Sequence, residues 1–304
     1  MRSLSRSELT AFALLVLVMV LWAGNSIVGR AVRDDIPPST LAFIRWSGAV
    51  LVLLPIAGKG LVRDWRALRA GWKSVLALGV IGVAGFNGLL YSGLHHTTAT
   101  NALLLQAAIP AGVLVFDRLL NGTQHPVMQR LGVGVSTLGV AVIVFEGDPS
   151  HLLGLHLGVG DAMILVGVLS WAFYTAWLRN APKVALLSML TATFIIAMFV
   201  MAPFALAEYL AGERIDWNAG SVGALFYVCL FPSIISYTIY NWATQVLGAG
   251  RAGQAITLMP LFGAFLSAGL LGEALYLYHL AGMALILVGI FASAFAGRRQ
   301  ATGA

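Results

Sequence analysis

Ten stretches of predominantly apolar residues recur along the chain, separated by short polar connections. A helix needs roughly 20 such residues to cross the hydrocarbon core of a bilayer. On that basis the spans fall at 10–30, 39–57, 73–94, 98–119, 127–145, 159–179, 185–207, 219–244, 252–271 and 277–296. Only 10% of the 304 residues are charged and 59% are hydrophobic, whereas a water-facing surface ordinarily goes with about 25% charge. The expected fold is therefore an all-α integral membrane unit of ten transmembrane helices, not two soluble domains. The first span follows Arg2 and Arg6 like a signal peptide, but nine further spans make it a retained signal anchor. The single cysteine, Cys229, excludes an intrachain disulfide and a cysteine metal site. The histidines lack ligand spacing, and neither metal nor cofactor is expected.

Orientation follows from Lys and Arg, which stay on the cytoplasmic side of the spans they flank. With the N-terminus inside, the inner segments hold Arg2, Arg6, Lys59, Arg63, Arg66, Arg69, Lys73, Arg118, Arg130, Arg179, Lys183, Arg251, Arg298 and Arg299. The outer segments hold only Arg30, Arg33 and Arg214, and Arg45 lies within the second span. Both termini are thus expected in the cytoplasm, with the loops near Asp34, His151 and Glu213 outside. The net charge of +6 is explained by the membrane and implies no nucleic-acid partner.

Shifted by about 150 residues, the chain aligns with itself. Leu21-Trp22-Ala23 with Arg30 falls on Ser170-Trp171-Ala172 with Arg179, and Pro110 falls on Pro260. Gly122, Gly132 and Gly139 fall on Gly272, Gly282 and Gly289, while Asn87 and Tyr91 fall on Tyr237 and Asn241. This predicts two repeats, 1–148 and 149–304. Each has five spans, an odd number, so the second enters the membrane inverted. Inverted repeats are a plan of secondary transporters, with the substrate site near the midplane between the halves.

These features resemble the drug/metabolite transporter superfamily. The Gly272-Glu273 pair followed by Gly282 and Gly289, echoed by Gly122, Gly132 and Gly139, is similar to the ends of EamA-type repeats. So is Phe43-Ile44-Arg45-Trp46 in the second span. The resemblance covers essentially the whole chain and implies a bacterial inner-membrane exporter of small metabolites. The aromatic content and the N-terminal region look most like the aromatic amino-acid exporters. Thr123 stands where the second half has Glu273, which departs from the paired pattern.

Candidate transport residues come in counterparts. Trp22, Asn25 and Ser26 on the first span answer to Trp171, Tyr174 and Thr175 on the sixth, and both tryptophans fall near mid-bilayer. They either wall a central cavity or pack helix against helix. Asn87 and Tyr91 toward the outside answer to Tyr237, Tyr240 and Asn241 toward the inside, as two gates or as interhelical hydrogen bonds. Asn101, Gln106 and Gln254 extend this polar seam. Pro110 and Pro260 break internal hydrogen bonds and mark hinges or static kinks. The packed glycines permit close approach, with Gly132 and Gly139 on one face. Arg45 either draws a carboxylate or snorkels to the outer surface. Glu273, Glu208 and Asp117 lie only at span ends, so no proton-loading acid is evident inside the membrane.

The reading is an exporter of neutral or zwitterionic metabolites, aromatic or large apolar amino acids foremost, working by alternating access as a monomer or otherwise. A multidrug exporter of lipophilic cations is the alternative, and it wants an embedded carboxylate. Nucleotide-sugar transport wants several cationic residues at the cavity. An intramembrane enzyme wants a catalytic constellation, and none stands out.

Overall fold

The computed structural model describes residues 5–145, 147–148, 150, 158–271 and 276–296, and all regular structure among them is helical. Six rods are long and apolar enough to cross a membrane. They are α1 (Arg6–Ala31), α2 (Pro38–Ala70), α3 with α4 (Trp72–His96), α8 (Val159–Trp177, extended by a 3-10 turn to Asn180), α9 (Leu186–Leu210), and α10 with α11 (Ala219–Leu247). The other four expected spans are occupied by shorter or interrupted helices. These are α5 (Ala99–Gln106) with α6 (Ile109–Asn121), α7 (Val127–Val144), α12 (Ala249–Gln254) with α13 (Met259–Leu271), and α14 (Leu277–Ala296).

The interruptions have covalent causes. A proline ring clashes with the carbonyl four residues earlier and withholds an N–H. Pro110 accordingly sits in the first turn of α6, and α5 ends four residues before it at Gln106. Pro260 opens α13, and the stretch before it, Ala255–Leu258, tightens to 3-10. Two π-helical stretches were not expected from the sequence. Leu78–Gly85 joins α3 to α4, and Leu230–Ile235, which contains Pro232, joins α10 to α11. They lie at matching places in the two halves of the chain, and such bulges release backbone carbonyls from the helix ladder.

The second helix is longer than its apolar run. It continues through Pro55 to Ala70, and Leu68 in the added turns is buried. Its 33 residues span about 50 Å, so the Arg63–Arg69 segment extends past a 30 Å core.

The two ends of the bundle differ. One gathers the start of α1, the ends of α2, α6, α8 and α11, and the start of α9, tied by Glu8–Arg251 at 3.3 Å and by Ala185 N donating to Asp64. It carries most of the basic residues, and is called the basic end below. At the opposite end Glu208 of α9 caps α2, accepting from Ser39 N at 2.8 Å and Thr40 N at 2.7 Å. A carboxylate satisfying the free N–H groups of a helix start is favourable in both hydrogen bonding and dipole. Thr97 donates to Asp161 there at 2.7 Å. Glu208 and Asp161 therefore have structural work.

Packing links counterparts. Helix α2 lies along α9, and α7 lies along α14; α1 lies along α11 as α8 lies along α4, and α1 meets α13 as α8 meets α6. At the α7–α14 crossing a Cβ on Gly132 would meet Gly289 O, and one on Gly289 would meet Gly132 O. A Cβ on Gly139 would stand 2.6 Å from Gly282 O. The expected small-residue contact is thus a backbone-to-backbone crossing.

Candidate functional site

Aromatic rings from both halves meet at the centre of the bundle. Trp22 of α1 and Trp171 of α8 stand edge to face with centroids 5.1 Å apart, and Tyr237 of α11 lies 6.1 Å from the first and 5.2 Å from the second. Trp22 is fixed by donating its indole N–H to Pro232 O at 3.0 Å, a carbonyl within the second π-helical stretch. The side chain of Asn87 donates to Tyr237 Oη at 3.1 Å and to Val83 O at 3.0 Å, the latter in the first π-helical stretch. A backbone carbonyl only accepts, so Nδ2 must face Val83. Asn87 Oδ1 is then left buried without a hydrogen-bond partner among the described residues.

These residues border a small cavity with Asn25, Arg45, Gln106 and the apolar side chains of Phe86, Leu90, Ile109, Ile256 and Met259. About 10 Å³ of it is open to the centre of a water molecule, room for about one water. The centre is therefore closed in this conformation, and any larger solute requires the walls to separate.

A layer lies on either side of the cavity. Toward the opposite end, Tyr91 donates to Asn25 Oδ1 at 2.8 Å, and Arg45 Nη1 donates to both, at 2.7 and 3.1 Å. Arg45 Nε donates to Ser233 Oγ at 2.7 Å and Nη2 to Pro232 O at 3.2 Å. The guanidinium also lies 4.7 Å from the Trp46 ring centre. Its residue is 1% exposed, so the snorkelling option for Arg45 is overturned: its donors turn inward to this network. Toward the basic end, the Tyr174 hydroxyl meets the Asn241 amide at 2.9–3.0 Å, and Thr175 Oγ1 meets Tyr240 Oη at 2.9 Å. The two layers mirror each other with the roles exchanged. Asn25 and Tyr91 form one Asn–Tyr pair, and their counterparts Tyr174 and Asn241 form the other.

Beyond the second layer, at the basic end, opens a vestibule of about 610 Å³, bordered by Thr175, Thr244, Gln129, Asp117, His125 and Arg179 among others. Asn121 Nδ2 donates to Asp117 there at 2.8 Å, and His125 Nε2 and Arg179 Nη1 lie 3.3 and 3.6 Å from its carboxylate. Thr175 and Tyr240 thus separate the vestibule from Trp22 and Trp171, whose rings lie 5.0 and 5.5 Å from Tyr240.

Trp22, Asn25, Arg45, Asn87, Gln106, Trp171 and Tyr237 from the sequence expectation border the cavity. Tyr91, Tyr174, Tyr240 and Asn241 stand in the flanking layers. Gln254 lies elsewhere, donating to Gly289 O at 2.9 Å in the α7–α14 seam. The side chain of Asn101 lies outside the described residues, as do Glu273, Gly272 and His151. Ser233 and Pro232, which hold Arg45, were missed; a proline followed by serine within an apolar span is the signal that marks them. The apolar lining residues carry no sequence signal that separates them from ordinary helix packing.

Apolar rods long enough to cross a membrane thus surround a closed aromatic chamber, with a vestibule at one end. The EamA-like transporter family matches residues 9–145 and again 158–295, and the chain belongs to that family. It is a membrane transporter. It is 25% identical over 256 residues to the uncharacterized transporter YyaM of Bacillus subtilis, covering 83% of each chain. The uncharacterized inner membrane transporter YedA of Escherichia coli K12 is 25% identical over 89% of this chain and 86% of its own. A probable amino-acid metabolite efflux pump of Salmonella typhimurium is 25% identical over 95% and 96%. A crystal structure at 20% identity shares the fold with a TM-score of 0.75, covering 97% of this chain and 99% of that one.

Proposed function

We propose that this transporter exports small zwitterionic metabolites, aromatic or large apolar amino acids foremost, across a bacterial inner membrane. It works by alternating access between two inverted five-helix halves, 1–148 and 149–304, that together make ten spans. The observation that carries the reading is the closed chamber walled by Trp22, Trp171 and Tyr237 and flanked by two mirrored Asn–Tyr layers. Counterpart residues touching across the centre are what a pseudo-two-fold exchange of conformations requires, and aromatic walls suit an apolar or aromatic side chain. The family's two matches and the paired packing of α2 with α9 and α7 with α14 support the repeats. The basic vestibule end is read as cytoplasmic from its lysines and arginines, so the vestibule is the inner mouth. The relation to a probable amino-acid metabolite efflux pump favours the same substrate class.

An exporter of lipophilic cations fits less well, because the charged side chain among the described residues bordering the cavity is a cation, Arg45. Among the described residues no carboxylate borders the cavity, which supports flux down the substrate gradient without proton loading. A substrate panel assayed with purified protein in proteoliposomes, with and without an imposed pH gradient, tests this reading. Saturable phenylalanine or leucine flux without the gradient is expected. Movement of lipophilic cations alone, driven by the gradient, would replace it with the rival.

A further inference from the structure

Arg45 is a buried cation whose contacts within the network are all neutral: Ser233 Oγ, Asn25 Oδ1, Tyr91 Oη and Pro232 O. No carboxylate among the described residues lies within ion-pairing distance of it. A guanidinium has five N–H donors. These four contacts use Nε, both donors of Nη1 and one of Nη2, leaving one Nη2 donor unassigned among the described residues. An ion in a low-dielectric interior is costly unless paired, and Arg45 borders a cavity rather than solid packing. The second polar feature is Asn87 Oδ1, an acceptor with no partner among the described residues, fixed in orientation by Val83 O and Tyr237 and belonging to another residue that borders the same cavity. The corresponding layer on the basic side is built from Tyr174, Thr175, Tyr240 and Asn241, none of them charged. The chamber is therefore polarised.

We infer that Arg45 is the carboxylate pole of the substrate site and Asn87 Oδ1 its ammonium pole, so that the chamber selects an α-amino acid by its backbone groups and leaves the side chain to Trp22, Trp171 and Tyr237. This rests on the transport reading above and names how its substrate is held. A carboxylate is matched by the planar donor fork of a guanidinium, and an ammonium donates to the amide oxygen that now lacks a donor. Closing the chamber around a zwitterion satisfies both groups at once. An amine without a carboxylate leaves Arg45 uncompensated and places a second positive charge beside it.

The test uses the full-length protein in proteoliposomes, with unlabelled compounds competing against labelled phenylalanine flux and with ligand-dependent melting of the detergent-purified protein as a binding readout. Phenylalaninamide and 2-phenylethylamine, which lack the carboxylate, should be roughly ten- to hundredfold weaker than phenylalanine, the range of a lost charge-assisted hydrogen bond. Arg45→Gln should erase that preference, and Arg45→Lys should keep part of it. Asn87→Leu should weaken phenylalanine while leaving 3-phenylpropionate, which has no ammonium, unchanged. Should Arg45→Gln fail to fold, the wild-type comparison and Asn87→Leu still decide. Equal competition by phenylalanine and phenylalaninamide, or a preference that persists in Arg45→Gln, overturns the inference while the transport reading stands. Arg45-dependent binding of 3-phenylpropionate without any amino-acid binding upholds the carboxylate pole and ends the amino-acid reading. Absence of binding by any carboxylate, with 2-phenylethylamine accepted, ends both.

Discussion

Replacing Asn241 by leucine should open the chamber toward the basic end. Tyr174 Oη and the Asn241 amide meet at 2.9–3.0 Å, and both residues are buried. Leucine keeps much of the volume but removes the partner, so the closed layer keeps a buried hydroxyl with nothing to bond. Such an orphan costs about 1–3 kcal/mol, and the cost disappears when opening lets water reach it. Each 1.4 kcal/mol is tenfold, so the open-to-closed ratio should rise roughly 5- to 140-fold. The reporter is Ile256→Cys in a Cys229→Ser background, since Ile256 borders the chamber and is 1% exposed. Its alkylation by a small polar thiol reagent, applied to purified protein under conditions where opening is a fast pre-equilibrium, should accelerate by that factor in Asn241→Leu. An unchanged or slower rate in a monodisperse protein would refute the assignment of this layer as a gate.

Trp22→Ala and Trp171→Ala should each lower phenylalanine flux at least about tenfold, since each removes a wall of the chamber; gel filtration should show an intact protein, and normal flux in the double variant returns both rings to packing. Gly289→Ala should lower the melting temperature through a collision with Gly132 O and Ser136 Oγ, overpacking that costs about 1–3 kcal/mol, whereas Gly134→Ala, with nothing within 4 Å of its Cβ position, should be neutral. Single cysteines at Asp34 and Glu213 in the Cys229→Ser background should react with an impermeant thiol reagent on intact cells, and one at Arg66 should not; the reverse pattern inverts the topology.

Much of this architecture is legible in the sequence because the bilayer permits few solutions. Apolar length marks the six long rods, and a constant offset pairs Trp22 with Trp171 before either ring is seen beside the other. The prolines at 110 and 260 announce broken helices, since their chemistry acts locally. Other features depend on what lies across the gap. Gly79, Gly82 and Gly85 read as packing residues, and Tyr174 and Ile196 do press on Gly82 and Gly79. That they fall within a π-helical stretch packed against α8 and α9 has no local residue signal. The extension of α2 to Ala70 was hidden because its later turns are amphipathic rather than apolar. Arg45 was ambiguous because a cation a turn or two inside a span reaches outward or inward equally well along a sequence. Ser233 and Asn25, far apart in the chain, turn it inward.

Alternating access about the central chamber is tested most directly by measuring both ends in one preparation. Spin-label pairs at Gln124 and Gln245 report on the vestibule, where both residues are exposed, and pairs at Asp34 and Glu213 report on the opposite end, where both are also exposed. Distance distributions recorded by pulsed electron resonance with and without a transported amino acid should shift in opposite senses, one end narrowing as the other widens. Both ends widening together, or neither moving while flux proceeds, would contradict the account.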